Sequence, residues 1–134
     1  MSTDNTLQVA EGKANVLKLY VTENVDLKWE VIQLETNEEG FIEHETIVKA
    51  INGGEYVGGM CALETSSLYY DEEGINNFET WFAIKTPYEY TTKVYGVGVF
   101  VGHGIDEEPI GLTEEEIKEM RERCEIRGYG SKQN

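Results

Sequence analysis

The chain has 134 residues, 40% of them hydrophobic, with 26 acidic and 11 basic side chains and a formal net charge of −15. That length fits one domain, and the apolar and aromatic content argues against disorder. An acidic surface of this strength repels phosphate backbones, so direct nucleic-acid binding is disfavoured, and no window approaches the ~18 consecutive apolar residues of a membrane-spanning helix.

Residues 1–12 are polar and give only a fraying end or an edge strand. Asn15 to Val21 (NVLKLYV) is rich in strand formers and stops at the polar turn Thr22-Glu23-Asn24. From Asp26 to Leu34, Leu27, Trp29 and Val31 alternate with Lys28, Glu30 and Ile32, the period of a half-buried strand. Asn37-Glu38-Glu39-Gly40 reads as a turn. Residues 41–62 allow a hairpin about Asn52-Gly53, or a short helix over 45–51 stopped by those residues, and the helix is the favoured reading. Gly58-Gly59 suggests a bulge or a close backbone approach.

Ser67 to Tyr70 leads into the acidic turn Asp71-Glu72-Glu73-Gly74. A strand with Phe78, Thr80, Phe82 and Ile84 on one face follows, broken by Thr86-Pro87. Tyr88 to Val101 (YEYTTKVYGVGVFV) is expected to be one long central strand, apolar on both faces. Gly96 and Gly98 would leave room on one face for Trp29, Trp81 or a helix. Residues 102–109 form a loop. The best helix runs from about 114 to 127: Thr113 and Glu116 make a capping box, Ile117, Met120 and Cys124 form an apolar stripe, and Gly128 is the stop. The expected fold class is α+β, a mostly antiparallel sheet with that C-terminal helix, in a single domain over 1–128 with a disordered tail over 129–134.

Charge is unevenly placed along the chain. Residues 1–117 hold 23 acids and 6 bases, whereas every arginine lies at or after position 121. Either the helix dipole draws the cations to the helix end, or the helix carries a basic feature for an anionic ligand or an acidic neighbour.

Motifs for chemistry are lacking. His44, His103, Cys61 and Cys124 have no zinc spacing, and the clusters Asp71-Glu72-Glu73 and Asp106-Glu107-Glu108 lack the alternation of a calcium loop. No metal or other cofactor is expected. Both cysteines read as core thiols, with a Cys61–Cys124 bridge as the alternative. No glycine pair has phosphate-loop spacing before a helix. With two cysteines and no basic-then-apolar N-terminal block, the expected compartment is a reducing cytoplasm, that of the host if the chain is viral.

Eight tyrosines and the acidity favour a non-enzymatic protein that binds a basic surface of another protein. The sharper form is an inhibitor occupying a basic, often nucleic-acid-binding, surface, in the manner of small phage inhibitors of host enzymes or defence systems. The expected contact residues are Tyr69, Tyr70, Asp71, Glu72, Glu73, Tyr88, Tyr90, Asp106, Glu107 and Glu108. One alternative is a small-ligand or nucleotide-sequestering protein with a pocket beside Gly96 and Gly98, served by His103, Arg121 and Arg127. Another is a small enzyme pairing His103 with a carboxylate such as Asp106. A small sheet also has edges, so a homo-oligomer built by edge-strand pairing is a further expectation.

Overall fold

The computed structural model describes residues 11–52, 57–88, 91–104 and 106–132. The chain runs β1 (Lys13–Val21), β2 (Leu27–Glu35), α1 (His44–Ala50), β3 (Val57–Leu63), β4 (Ser66–Asp71), α2 (Gly74–Asn77), β5 (Thr80–Lys85), β6 (Thr91–Tyr95), β7 (Gly98–His103), β8 (Pro109–Ile110), α3 (Glu114–Arg123) and β9 (Glu125–Ser131). The fold is α+β, mostly antiparallel sheet, as the alternating runs suggest. One sheet has the order β2-β1-β7-β4-β3, with β8 added on β7; the other has the order β6-β5-β9.

Because strand side chains alternate between faces, β1 serves two cores. Leu17, Leu19 and Val21 point to one side, where they meet Phe82, Ile84 and Val94 of the second sheet and Ile117, Met120 and Cys124 of the C-terminal segment. Ala14 and Val16 point to the other side, where Ile42, Ile47 and Ile51 around α1 close over them with Val99 and Val101. α1 confirms the helical reading of the ambiguous segment. The proposed N-terminal edge strand lies largely outside the described residues.

The expected long strand from Tyr88 to Val101 is two strands in different sheets. Gly96 has φ +100, a backbone conformation that side-chain-bearing residues rarely adopt, and there the chain leaves β6 for β7. β7 alone is the central, doubly buried strand. The space beside the two glycines is filled, but not by tryptophan: a Cβ on Gly96 would stand 2.5 Å from the Phe78 ring, and one on Gly98 would meet Leu68 and Phe82. Trp29 instead stacks on Phe100 with ring centroids 5.9 Å apart, and Trp81 covers Gly130 of β9. The glycine-side pocket of the small-ligand reading is therefore occupied by core side chains.

Helix α3 has the expected capping box, with the Thr113 hydroxyl accepting from the Glu116 amide and the Glu116 carboxylate accepting from the Thr113 amide. It ends sooner than expected, at Arg123. Cys124 is already extended, and the chain enters β9, which pairs with β5 through Ser131. The residues expected to be a disordered tail from Tyr129 to Ser131 are thus strand, and Gly128 is a strand residue rather than a helix stop. Tertiary pairing overrides the helix signal here, because β5 would otherwise lose one of its two neighbours.

Candidate interaction surface

Three connections gather carboxylates at one end of the larger sheet. The amide of Ile42, just before α1, donates to Pro109 O at 2.8 Å, which brings the exposed Glu43 and Glu45 beside the β7–β8 turn. That turn carries Asp106, Glu107 and Glu108, held by Gly104 N to Glu108 O at 2.8 Å. After three connecting residues past β8 the chain enters α3, whose first turn is Glu114, Glu115 and Glu116. The β3–β4 turn joins the same end, because His103 N donates to Thr65 O at 2.9 Å and the Thr65 hydroxyl donates to Glu116 Oε2 at 2.9 Å. No Lys or Arg occurs in residues 42–46, 64–65 or 103–116. Glu116 is spent on the cap and on Thr65; Glu43, Glu45, Asp106, Glu107 and Glu115 face solvent.

Asp71, Glu72 and Glu73 do not join this end. Asp71 closes β4 at its far end, roughly 20 Å away along the strand. It is buried, accepting from the Glu73 amide at 2.9 Å and from Asn77 Nδ2 at 2.9 Å, so it builds the turn into α2 rather than a contact surface. Glu72 and Glu73 are exposed there. Tyr69 and Tyr70 are half-buried, and burial raises both phenols above their ordinary 10.0, with Glu72 adding to the effect at Tyr70. Tyr88 is exposed, and Tyr90 lies outside the described residues.

His103, Arg121 and Arg127 are each engaged separately. His103 closes β7 rather than sitting in a loop, and its Nε2 is hydrogen-bonded to the Ser67 hydroxyl. Among the described residues no carboxylate is bonded to its ring. Ser67 is buried, and it sits in mid-ladder between Cys61 and Val101. The couple therefore braces β4 against β7. Arg121 lies over the Trp29 ring at 5.8 Å, and Arg127 pairs with Glu125 at 3.0 Å.

The mildly basic C-terminal segment meets the acidic body within one molecule. Arg123 bridges Glu64 of the β3–β4 turn at 3.2 Å and Glu119 at 2.8 Å. Its guanidinium holds the Glu64 carboxyl below its ordinary 4.5. The cysteines divide: both are free, Cys124 is buried as expected, and Cys61 is exposed, contrary to its reading as a core thiol, because its position on β3 turns it away from the inter-sheet core. Burial pushes the Cys124 thiol up to about 11.

One feature escaped the residue patterns. A groove of about 500 Å³ lies between β2 and α3, lined by Trp29, Val31, Ile117, Lys118 and Arg121 with Glu114 and Glu122 at its rim. Its signal in sequence was Val31, an apolar strand residue that is 40% exposed in the fold. Among the described residues no group of three His, Cys, Asp or Glu could hold a metal ion, and no helix is long and apolar enough to cross a membrane.

The fold and surface define a class no narrower than an acidic α+β protein of two packed antiparallel sheets. Comparison with known proteins gives no match among family models, curated proteins or solved structures.

Proposed function

We propose that the chain is a non-enzymatic protein-binding protein whose acidic end occupies a basic surface of another protein. The observation that carries this reading is the convergence of the α1 start, the β7–β8 turn and the α3 start into one carboxylate-rich end; these three segments contain no lysine or arginine, and the neighbouring cations Arg123 and Lys13 are already paired with Glu64, Glu119 and Glu35. Like charges gathered this way cost stability through mutual repulsion, and a cationic partner removes that cost. Basic protein surfaces are commonly nucleic-acid-binding, so the sharper reading is an inhibitor that competes with nucleic acid, as a phage-type inhibitor of a host enzyme or defence system would. The partner would be met in the cytoplasm, that of the host for a viral chain.

The test compares charge reversals at the two ends of the sheet. Immobilised wild type should retain a host protein at low ionic strength and release it steeply as salt rises, and added DNA should displace it. Glu43→Lys with Asp106→Lys should abolish retention, while Glu72→Lys with Glu73→Lys at the far end should keep it. Equal retention by both double variants, or no retained protein at low salt, would overturn the proposal.

A further inference from the structure

The geometry points to a second copy of this chain as the occupant of the outer edge of β2 over Leu27–Val31, where no strand lies among the described residues, paired antiparallel about a twofold axis through Trp29. This goes beyond the acidic-end reading and uses a different surface. Among the described residues β2 has a strand neighbour on one side only, β1, and pairs with it over nine unbroken positions from Leu27 to Glu35. The other edges are poorer templates. β3 and β9 belong to ladders with register shifts, and β6 has only five residues. A long, regular edge is the kind that recruits another strand.

The register follows from charge. In a twofold antiparallel pair, residues equidistant from the axis face each other on the same side of the sheet. Centred on Trp29, Lys28 of each copy faces Glu30 of the other, twice over, and on the opposite side Leu27 faces Val31 while Trp29 meets Trp29. Neighbouring registers fail: centring on Glu30 or Lys28 stacks like charges, and centring on Val31 sets Glu30 against Ile32. Within one chain Lys28 has no ion pair among the described residues, and Glu30 reaches Lys18 only at 4.0 Å.

The groove supplies the volume. Trp29 and Val31 share the side of β2 on which α3 lies, so the partner's Trp29 and Leu27 would enter the space of about 500 Å³ between β2 and the Ile117–Arg121 face of the helix. The exposed side of Val31 would then be covered. Because each copy carries −15, association must overcome long-range repulsion and should strengthen as salt rises, opposite to binding of a basic partner.

Sedimentation equilibrium of the full chain tests this, with far-UV circular dichroism to confirm folding. Wild type should show a species of twice 15.2 kDa, favoured by salt. Lys28→Glu and Glu30→Lys should each raise the dimer dissociation constant by roughly tenfold or more, since two attractive pairs become repulsive. The double variant K28E/E30K should restore it. A monomer at every salt and concentration, a dimer indifferent to the single reversals, or a folded double variant that stays monomeric would each overturn the proposal. Loss of the salt-weakened partner binding alone would leave it standing.

Discussion

Arg123 at the end of α3 reaches Glu64 in the β3–β4 turn across 59 positions of sequence, at 3.2 Å. The contact pins the helix to the larger sheet and ties down a guanidinium in a chain short of cations. Both groups are well exposed, so its weight in stability is small at neutral pH. Its pH signature is distinct. Glu64 titrates below its ordinary 4.5 in the folded state, so the contribution is present above pH 4.5 and is lost as pH falls through the lowered value. Thermal melts of Arg123→Gln should therefore lose less midpoint than wild type on acidification below pH 4.5, and carboxyl NMR should show Glu64 returning towards 4.5.

Replacing Gly96 should be among the most damaging single changes. Gly96→Ala incurs the backbone cost of a side chain at φ +100 and drives its Cβ into the Phe78 ring. The sum is expected to be about 2–4 kcal/mol in urea unfolding. Adding Phe78→Ala removes the clash but not the backbone strain, so the double variant should be less destabilised than the two single losses summed.

The two thiols should separate cleanly. A disulfide reagent should titrate Cys61 in the native protein and Cys124 only after unfolding. Cys124 stays protonated in the fold to about 11 but ionises from 9.0 when unfolded, so stability should fall as pH rises from 9.0 to about 11. Cys124→Ala is less stable at pH 7 through the lost packing, yet its curve between pH 9 and 10 should be flatter than that of wild type.

Removal of the last ten residues should not behave like trimming a tail. A chain ending at Cys124 lacks β9, leaving β5 with one neighbour and uncovering Trp81. We expect a loss of at least ~2 kcal/mol, from the buried part of Ile126 and the apolar area β9 covers, read as a lowered melting midpoint.

What the sequence made legible was local. The Thr113–Glu116 cap, the alternation through Leu27, Trp29 and Val31, and the compact run before Asn52 all report on neighbours a few positions away, and each formed as expected. The misreadings arose where distant partners decide. An alternation of period two looks the same on both sides of Gly96, so it hides a change of sheet. Arg123 and Arg127 suit a helix end equally well whether the helix continues or not; pairing with β5 ends it. Asp71 looked like a surface acid because its donors, the Glu73 amide and Asn77 Nδ2, become visible only once the turn is folded. The acidic end depends on topology, since the segments carrying Glu43 and Glu64 are brought to those carrying Asp106 and Glu115 by the Ile42–Pro109 and Thr65–Glu116 hydrogen bonds between positions far apart in the chain.

The passage from β6 to β7 takes only Gly96 and Val97. So short a strap leaves no slack for one layer to slide over the other, and a displacement of β6 along β5 would have to drag β7 between β1 and β4. A break at this strap, to make complementing fragments or a circular permutant, would therefore part the central strand of the larger sheet from the second sheet. Tolerance for insertions should concentrate instead in turns such as Glu38-Glu39-Gly40, where the backbone is exposed and the layers are not coupled.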